Sequence, residues 1–502
     1  MIALRNQPLF VVMMAITAAS MMVPVLFAAR LEQWLFARTF LYHSIVLMLI
    51  TALMAIAMSN RDLSNRSANR LMDILAGFIL MPFFMAMPLS FLMPQIGFFA
   101  AYFEMVSSFT TTGASVFMPN QAVPDVIHLW RALVAWMGGF LMLVVAIAIF
   151  KPVNLGGFEV YTSSKDGVLL NQTIKRAALR DRLIRYSAVI FPLYTLLTAV
   201  LALLLILSGD RMLVAVIHAM STLSTSGISP VGGLSGSAAG YIGEVFIFGF
   251  FIYGITRHLF FVDRNESAIK LVKRDKELNM ALYLVVIIPA VLFFRHWLAA
   301  SEVNQGNEFY HAISALWGSM FTVLSFLTTT GFESNGWTAA RDWSGLGTTG
   351  LILMAVAVMG GGIATTAGGV KLLRVYALYK HGLREMQRLS YPHSVGGSGS
   401  RARNIRREGA YAAWIFFMLF LVSIAVGMLC LSLMGINFED SLILSISALS
   451  NTGPLLAAAS DNGVTYGAIS SAGKGILCAL MILGRLEALA VIAILNPNYW
   501  RK

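Results

Sequence analysis

Charge is scarce in this chain. Only 12% of its 502 residues are Asp, Glu, Lys or Arg, about half the share of an ordinary soluble domain, while 58% are hydrophobic. A water-soluble fold cannot bury that much apolar sequence, so the bilayer is the expected solvent. Cysteine is scarcer still. Cys430 and Cys478 lie far apart in apolar segments, which excludes a disulfide framework, and no CxxC or Cys/His spacing offers a metal site. The eight histidines are scattered, and a lone one such as His218 reads as structural rather than as a ligand. GxSxG, HExxH and paired intramembrane aspartates are all missing, so no enzyme is expected. Acids are fewer than bases, and the net charge of +12 would suit nucleic acid unless the bases are placed for another reason.

The chain is rich in apolar runs. Ten stretches satisfy the requirement of about 20 mostly apolar residues for a spanning helix: 8–29, 39–59, 72–93, 125–150, 183–208, 240–261, 278–299, 346–380 (interrupted), 409–434 and 472–496. The first is too long for a signal-peptide core and has no A-x-A site before a polar chain, so it counts as a helix. Ten crossings put both termini on one side. If that side is the cytoplasm, 28 of the 36 Lys and Arg residues lie inside, seven lie on the opposite side or its helix ends, and Arg485 lies within a span. Such asymmetry is the positive-inside pattern. The basic excess is therefore topological, and no nucleic-acid partner is expected. The cytoplasmic stretch 387–408, rich in Gly, Ser and Arg, suits either a flexible linker or a docking surface for a soluble partner.

Four polar breaks interrupt the outer side: "SFTTTGASVF" (108–117), "LSTSGIS" (223–229), "LTTTGFES" (327–334) and "LSNTGPLL" (449–456). Their glycines, Gly113, Gly227, Gly331 and Gly453, are 114, 104 and 122 residues apart. Before each lies an apolar stretch too short to span: 99–109, 212–223, 309–327 and 439–449. The repeating unit is helix, short pore helix, polar loop, helix. Each unit crosses twice, so the repeats are parallel and related by an axis along the membrane normal. The expected fold is an all-α integral membrane protein with four pseudo-symmetric repeats around a central pore. Two extra helices in 1–69 precede repeats in 70–151, 152–276, 277–386 and 387–502. Non-helical backbone at membrane depth needs protein or water around it. Four loops on one axis would present carbonyl oxygens that replace a cation's water shell. Glycine permits the positive φ values such loops require. The candidate filter is Thr110, Thr111, Thr112 and Gly113; Ser224, Thr225, Ser226 and Gly227; Thr328, Thr329, Thr330 and Gly331; Ser450, Asn451, Thr452 and Gly453. Its Ser and Thr hydroxyls are further candidate oxygens. No other metal site is expected.

With "SSFTTTGASVF", "HLWRALVAWMGGF" (128–140), "LSNTGP" (449–454), "MGGGIATTAGGVKLLR" (359–374) and "LGRLEALAVIAILNPNYWR" (483–501) in this order, the chain resembles the Trk/Ktr/HKT superfamily of potassium transporters over nearly its whole length. The extra N-terminal helix pair favours the Trk branch, the membrane subunit of the bacterial Trk potassium-uptake system. The resemblance implies K⁺ as transported ion, residence in the bacterial inner membrane, a homodimer and a cytoplasmic RCK-type nucleotide-binding regulatory partner (TrkA-like). Some plant relatives that prefer sodium carry serine at the first filter glycine, and Gly113 departs from that pattern. Two other readings stand beside potassium uptake: a K⁺/H⁺ or K⁺/Na⁺ symporter using Glu104, Glu244 or Glu487, and a less selective monovalent-cation channel.

Two features suggest gates. "MGGGIATTAGGVK" breaks the eighth span with Gly360, Gly361, Gly362, Thr365, Thr366, Gly368, Gly369 and Lys371, and its spacing is not that of a nucleotide-binding P-loop. By itself it suits a kink or close packing through small residues. The resemblance implies a loop that obstructs the pore and moves on activation. Arg485, inside the last span, must face water or a partner. Glu487 is two residues away and does not face it on a helix. Either a distant Glu pairs with Arg485, or its charge projects below the filter as a barrier, the role the resemblance implies.

Overall fold

The computed structural model describes residues 8–58, 67–117, 123–150, 158, 179–259, 275–299, 308–344, 349–390, 407–460 and 463–487. Every regular element among them is helical. Seven helices among the described residues are long and apolar enough to cross a membrane: Leu9–Arg30, Trp34–Ala57, Met72–Leu92, Asp125–Phe150, Arg182–Leu207, Lys276–Phe294 and Gly409–Ser432. The Asp125–Phe150 span is 78% buried along its apolar core and Trp34–Ala57 only 22%, which puts the first at the centre and the second at the rim.

The remaining three expected spans are broken rather than continuous. The sixth is Gly240–Phe250 followed by Ile252–Ile255, ending at Thr256 in extended backbone. The eighth is Thr349–Met359, a break, then Leu372–Ser390, a helix that runs ten residues past the expected end of the span. Beyond the buried Arg374 it carries Lys380, Arg384 and Arg388, which belong in water. In the tenth, the helix Ser471–Leu486 ends where Glu487, at φ 63, turns its carboxylate onto Arg374. Arg485 therefore sits at the end of a helix, where the sequence reading puts it inside a longer one. The tail 488–502 and most of the 387–408 stretch lie outside the described residues.

The four short apolar stretches are the four pore helices: Gly97–Phe109, Met212–Ser224, Glu308–Leu327 and Phe438–Ser450. All end one residue before, or at the first residue of, a candidate filter quartet. The negative ends of their dipoles are thus directed at the four loops. Beneath them the inner helices pass on glycine. A Cβ on Gly138 would lie 2.0 Å from the Phe109 carbonyl oxygen, and one on Gly484 2.0 Å from that of Leu449. On Gly254 it would lie 3.1 Å from the Thr328 side chain. These small residues let the inner helices approach the pore-helix ends closely.

Candidate functional site

The four loops share one backbone design. After each pore helix the second break residue is left-handed: Thr111 (φ 56), Thr225 (φ 54), Thr329 (φ 58) and Asn451 (φ 56). A β-branched residue in that region is a rare and strained choice. The next amide in each loop returns to the pore helix. Thr112, Ser226, Thr330 and Thr452 donate to the carbonyls of Ser107, Ser221, Ser325 and Ser447 at 2.8, 2.9, 2.9 and 2.9 Å. Flanking hydroxyls pair across each turn: Thr110 with Thr112 at 2.8 Å, Ser224 with Ser226 at 3.1 Å, Thr328 with Thr330 at 3.1 Å and Ser450 with Thr452 at 3.2 Å. These hydroxyls shape the turn, which explains why the chain insists on Ser or Thr at both places.

The loops touch in a ring. A Cβ on Gly113 would lie 1.7 Å from the Ser226 carbonyl oxygen, and one on Gly227 2.1 Å from that of Thr330. On Gly331 it would meet Pro454 at 2.9 Å, and on Gly453 the Ala114 nitrogen at 2.1 Å. First loop meets second, second third, third fourth and fourth first, so the four glycines surround a common axis. All twelve Ser, Thr and Asn residues of the candidate filter are at most 1% exposed, so none faces lipid. The ring is not fourfold identical. Gly113, Gly227 and Gly331 have φ of 75, 67 and 81, whereas Gly453 is not left-handed and is followed by Pro454. The Gly453 amide donates to the Thr112 carbonyl at 2.6 Å, and the Asn451 amide group donates to Thr112 Oγ1 and the Met481 carbonyl at 3.0 Å.

Directly beneath lies the glycine-rich break. Its base is closed by the amides of Val370 and Lys371, which donate to the Val358 and Met359 carbonyls at 2.9 Å, with Gly360 packed on Gly368 and Gly369. Its tip reaches three other elements. Gly368 N donates to Thr329 Oγ1 at 2.7 Å, Thr366 Oγ1 to the Leu223 carbonyl at 3.1 Å, and Thr365 Oγ1 to the Gly254 carbonyl at 2.9 Å. Gly362 also donates to the Gly254 carbonyl, and Gly361 packs on it. The segment is thus held between the second and third filter loops and the inner end of the second repeat.

Charges gather around it. Arg485 is 3% exposed and donates from Nη1 to the Thr366 carbonyl at 2.6 Å, while its Nε and Nη2 have no acceptor among the described residues. The Lys371 ammonium donates to the Ala367 carbonyl. Arg374 pairs with Glu487 at 2.6 Å and lies over the Phe416 ring. Glu277 is buried and accepts from the Ile363 amide at 2.9 Å. A small cavity is bounded by Met142, Ala146 and Phe150 on one side and Gly368, Lys371 and Arg485 on the other. Residues 146–150 form a widened π turn at the end of the central helix, a distortion common at working sites.

The distant acids offered as partners for Arg485 are engaged elsewhere. Glu104 pairs with Arg131 at 2.5 Å, and Glu244 accepts from Trp317, Ser334 and Asn335 at 2.8, 2.6 and 2.6 Å. Arg131→Met is expected to leave Glu104 buried without its cation and to destabilise the protein by about 3–5 kcal/mol, read by thermal unfolding in detergent.

The description "Cation transport protein" belongs to the family model that matches residues 37–238 and 278–502. The chain belongs to the TrkH family of cation transport proteins. Among curated proteins it is 29% identical over 417 residues to "Trk system potassium uptake protein TrkH" of Salmonella typhimurium, covering 82% of this chain and 81% of that one. It is 28% identical over 417 residues to the protein of the same name in Escherichia coli strain K12, with the same coverage. It is 29% identical to "Trk system potassium uptake protein TrkI" of Halomonas elongata, over 84% of this chain and 81% of that one. Its fold is similar to that of the crystal structure of the potassium transporter TrkH from Vibrio parahaemolyticus, with a TM-score of 0.78, 23% identity and 98% of each chain covered.

Two residues that contact the break escape a search for motifs: Glu277, which accepts from the Ile363 amide, and Gly254, whose carbonyl accepts from Thr365 and Gly362. The serines at 107, 221, 325 and 447 carry a signal that aligning the chain with itself would reveal: each stands six residues before a filter glycine.

Proposed function

We propose that this chain is a potassium uptake pore of the bacterial inner membrane, with both termini in the cytoplasm. The four repeats divide it at the boundaries given above, and K⁺ loses its hydration to loop carbonyls at the ring of Gly113, Gly227, Gly331 and Gly453. The cyclic contact of the four loops carries this reading, because only loops around one axis present oxygens to one ion. The relatives named as Trk potassium uptake proteins support K⁺ as the cargo. An inside-negative potential contributes about 2.3 kcal/mol per charge per 100 mV to inward movement. Residues 360–371, with Arg485 beneath the ring, form the gate. A second copy of the chain and a cytoplasmic RCK-type regulatory subunit complete the assembly, the latter supplying nucleotide control.

The coupled-symport reading draws no support from the acids offered for it. Glu104, Glu244 and Glu487 are each held by donors among the described residues, Arg131, Ser334 and Arg374 respectively.

The deciding experiment is ⁸⁶Rb⁺ uptake into liposomes containing purified full-length protein, competed by K⁺, Na⁺ and Cs⁺, with and without a pH gradient. Competition by K⁺ over Na⁺ that ignores the pH gradient supports the proposal. Equal competition by Na⁺ overturns the selective filter, and flux that follows the pH gradient restores the symporter. Shortening 360–369 is expected to raise leak, since the tip contacts to Thr329, Leu223 and Gly254 are then lost. If transport disappears while the pore stays closed, the loop is not the obstruction.

A further inference from the structure

The filter loops are anchored from behind at one recurrent position. The residue nine before each filter glycine is Glu104, His218, Thr322 and Leu444. All four are fully buried in their pore helices. The first three reach across to the limb of the loop that leaves the glycine. Glu104 Oε2 accepts the Val116 amide at 2.8 Å, His218 Nε2 meets Ser229 Oγ at 2.9 Å, and Thr322 Oγ1 accepts the Ser334 amide at 3.3 Å. Three chemically unrelated side chains thus make the same connection, between the pore helix and the residue two or three beyond the glycine. The first two are flanked by a charged partner, Arg131 against Glu104 and Asp210 3.8 Å from His218 Nδ1, while at the third loop Glu244 accepts from the hydroxyl of Ser334 itself at 2.6 Å.

Leu444 has no polar atom to offer, and the fourth loop is held otherwise. Tyr466 donates to the Gly453 carbonyl at 2.9 Å, and Ser447 donates to the Thr452 carbonyl at 2.9 Å. The fourth is also the loop whose glycine amide bonds to the first loop.

We propose that Glu104, His218 and Thr322, with Tyr466 standing in for the fourth repeat, are positioning residues that fix the outer limb of each filter loop and thereby set ion discrimination. The proposal rests on the filter reading above. Carbonyls selecting between two alkali ions must be held at their spacing. A loop tied only at its pore-helix end is free to move outward at its glycine, whereas a second tie beyond the glycine closes the loop on the helix. These residues touch no ion. They act through the backbone they hold.

The test separates the strut from mere packing. Thr322→Val keeps size and shape and removes the acceptor, while Thr322→Ser keeps it. At the first loop, Glu104→Gln with Arg131→Gln and Glu104→Leu with Arg131→Leu both abolish the buried ion pair, but only the first keeps an acceptor for the Val116 amide. Purified full-length proteins in liposomes are assayed for ⁸⁶Rb⁺ uptake and its competition by K⁺ and Na⁺. Thr322→Val and the Leu double variant are expected to lose K⁺-over-Na⁺ preference about tenfold, the scale of one lost buried hydrogen bond, with uptake preserved. Thr322→Ser and the Gln double variant are expected to keep it. Equal behaviour within either pair overturns the proposal, and the threonine pair decides if the leucine double variant does not fold. A wild type that fails to prefer K⁺ sinks the filter reading and this one with it. A selective wild type with insensitive variants sinks only this one.

Discussion

Arg485→Gln is expected to raise basal cation flux by about tenfold or more in liposomes containing the purified protein. The argument is electrostatic. The guanidinium is buried beside the glycine-rich break, with one hydrogen bond to the Thr366 carbonyl and two nitrogens lacking acceptors among the described residues. Its nearest acid in sequence, Glu487, is committed to Arg374 at 2.6 Å. The charge is therefore poorly neutralised, and in the proposed pore it lies on the path of a permeating cation. Two like charges 4 Å apart repel by about 4 kcal/mol at an effective dielectric of 20, and tenfold in rate requires only about 1.4 kcal/mol. Glutamine removes the charge and keeps a donor for Thr366. Arg485→Lys supplies the control, since it keeps the charge and loses the planar donor geometry. Low flux in the lysine variant with high flux in the glutamine variant assigns the barrier to charge. Equal leak in both assigns it to the tether on Thr366, and unchanged flux in a well-folded glutamine variant removes Arg485 from the gate.

The pore helices were legible because each combines an apolar stretch of fixed length with a polar stop, and the bilayer admits few reasons for such a stop. Helix ends at Phe109, Ser224, Leu327 and Ser450 fall within a residue of the ends read from sequence. The ring order was legible only as a consequence of parallel repeats, and the contacts of Gly113 with Ser226 and of Gly227 with Thr330 give it a physical form. The second task of the hydroxyls was not legible. Composition offers Thr110 and Thr112 as cation ligands, and the structure adds that their hydroxyls pair with each other across the turn. The helix break at Glu487 was not legible at all. Hydropathy is continuous across it, whereas the left-handed Glu487 answers to Arg374, 113 residues away in sequence. Contacts of that separation leave no periodic trace.

Gly113→Ala is expected to lower K⁺-over-Na⁺ discrimination about tenfold or more, or to abolish uptake, in the same liposome assay. Two effects add. At φ 75 an L side chain costs about 1–2 kcal/mol from local sterics. The new methyl would also stand 1.7 Å from the Ser226 carbonyl oxygen, which is backbone and cannot swing aside as a flexible side chain would. Because the ring is closed, the second loop cannot retreat without pressing on the third, where Gly227 already lies against the Thr330 carbonyl. The same reasoning grades the four positions. Gly227→Ala meets backbone at 2.1 Å with φ 67 and should match Gly113→Ala. Gly453→Ala meets the Ala114 nitrogen at 2.1 Å but pays no left-handed penalty. Gly331→Ala is strained at φ 81 yet meets only the Pro454 ring, at 2.9 Å, and should be the mildest of the four. A series in which Gly331→Ala is the most damaging, or in which all four are alike, would mean that loop-to-loop packing does not set the dimensions of the filter.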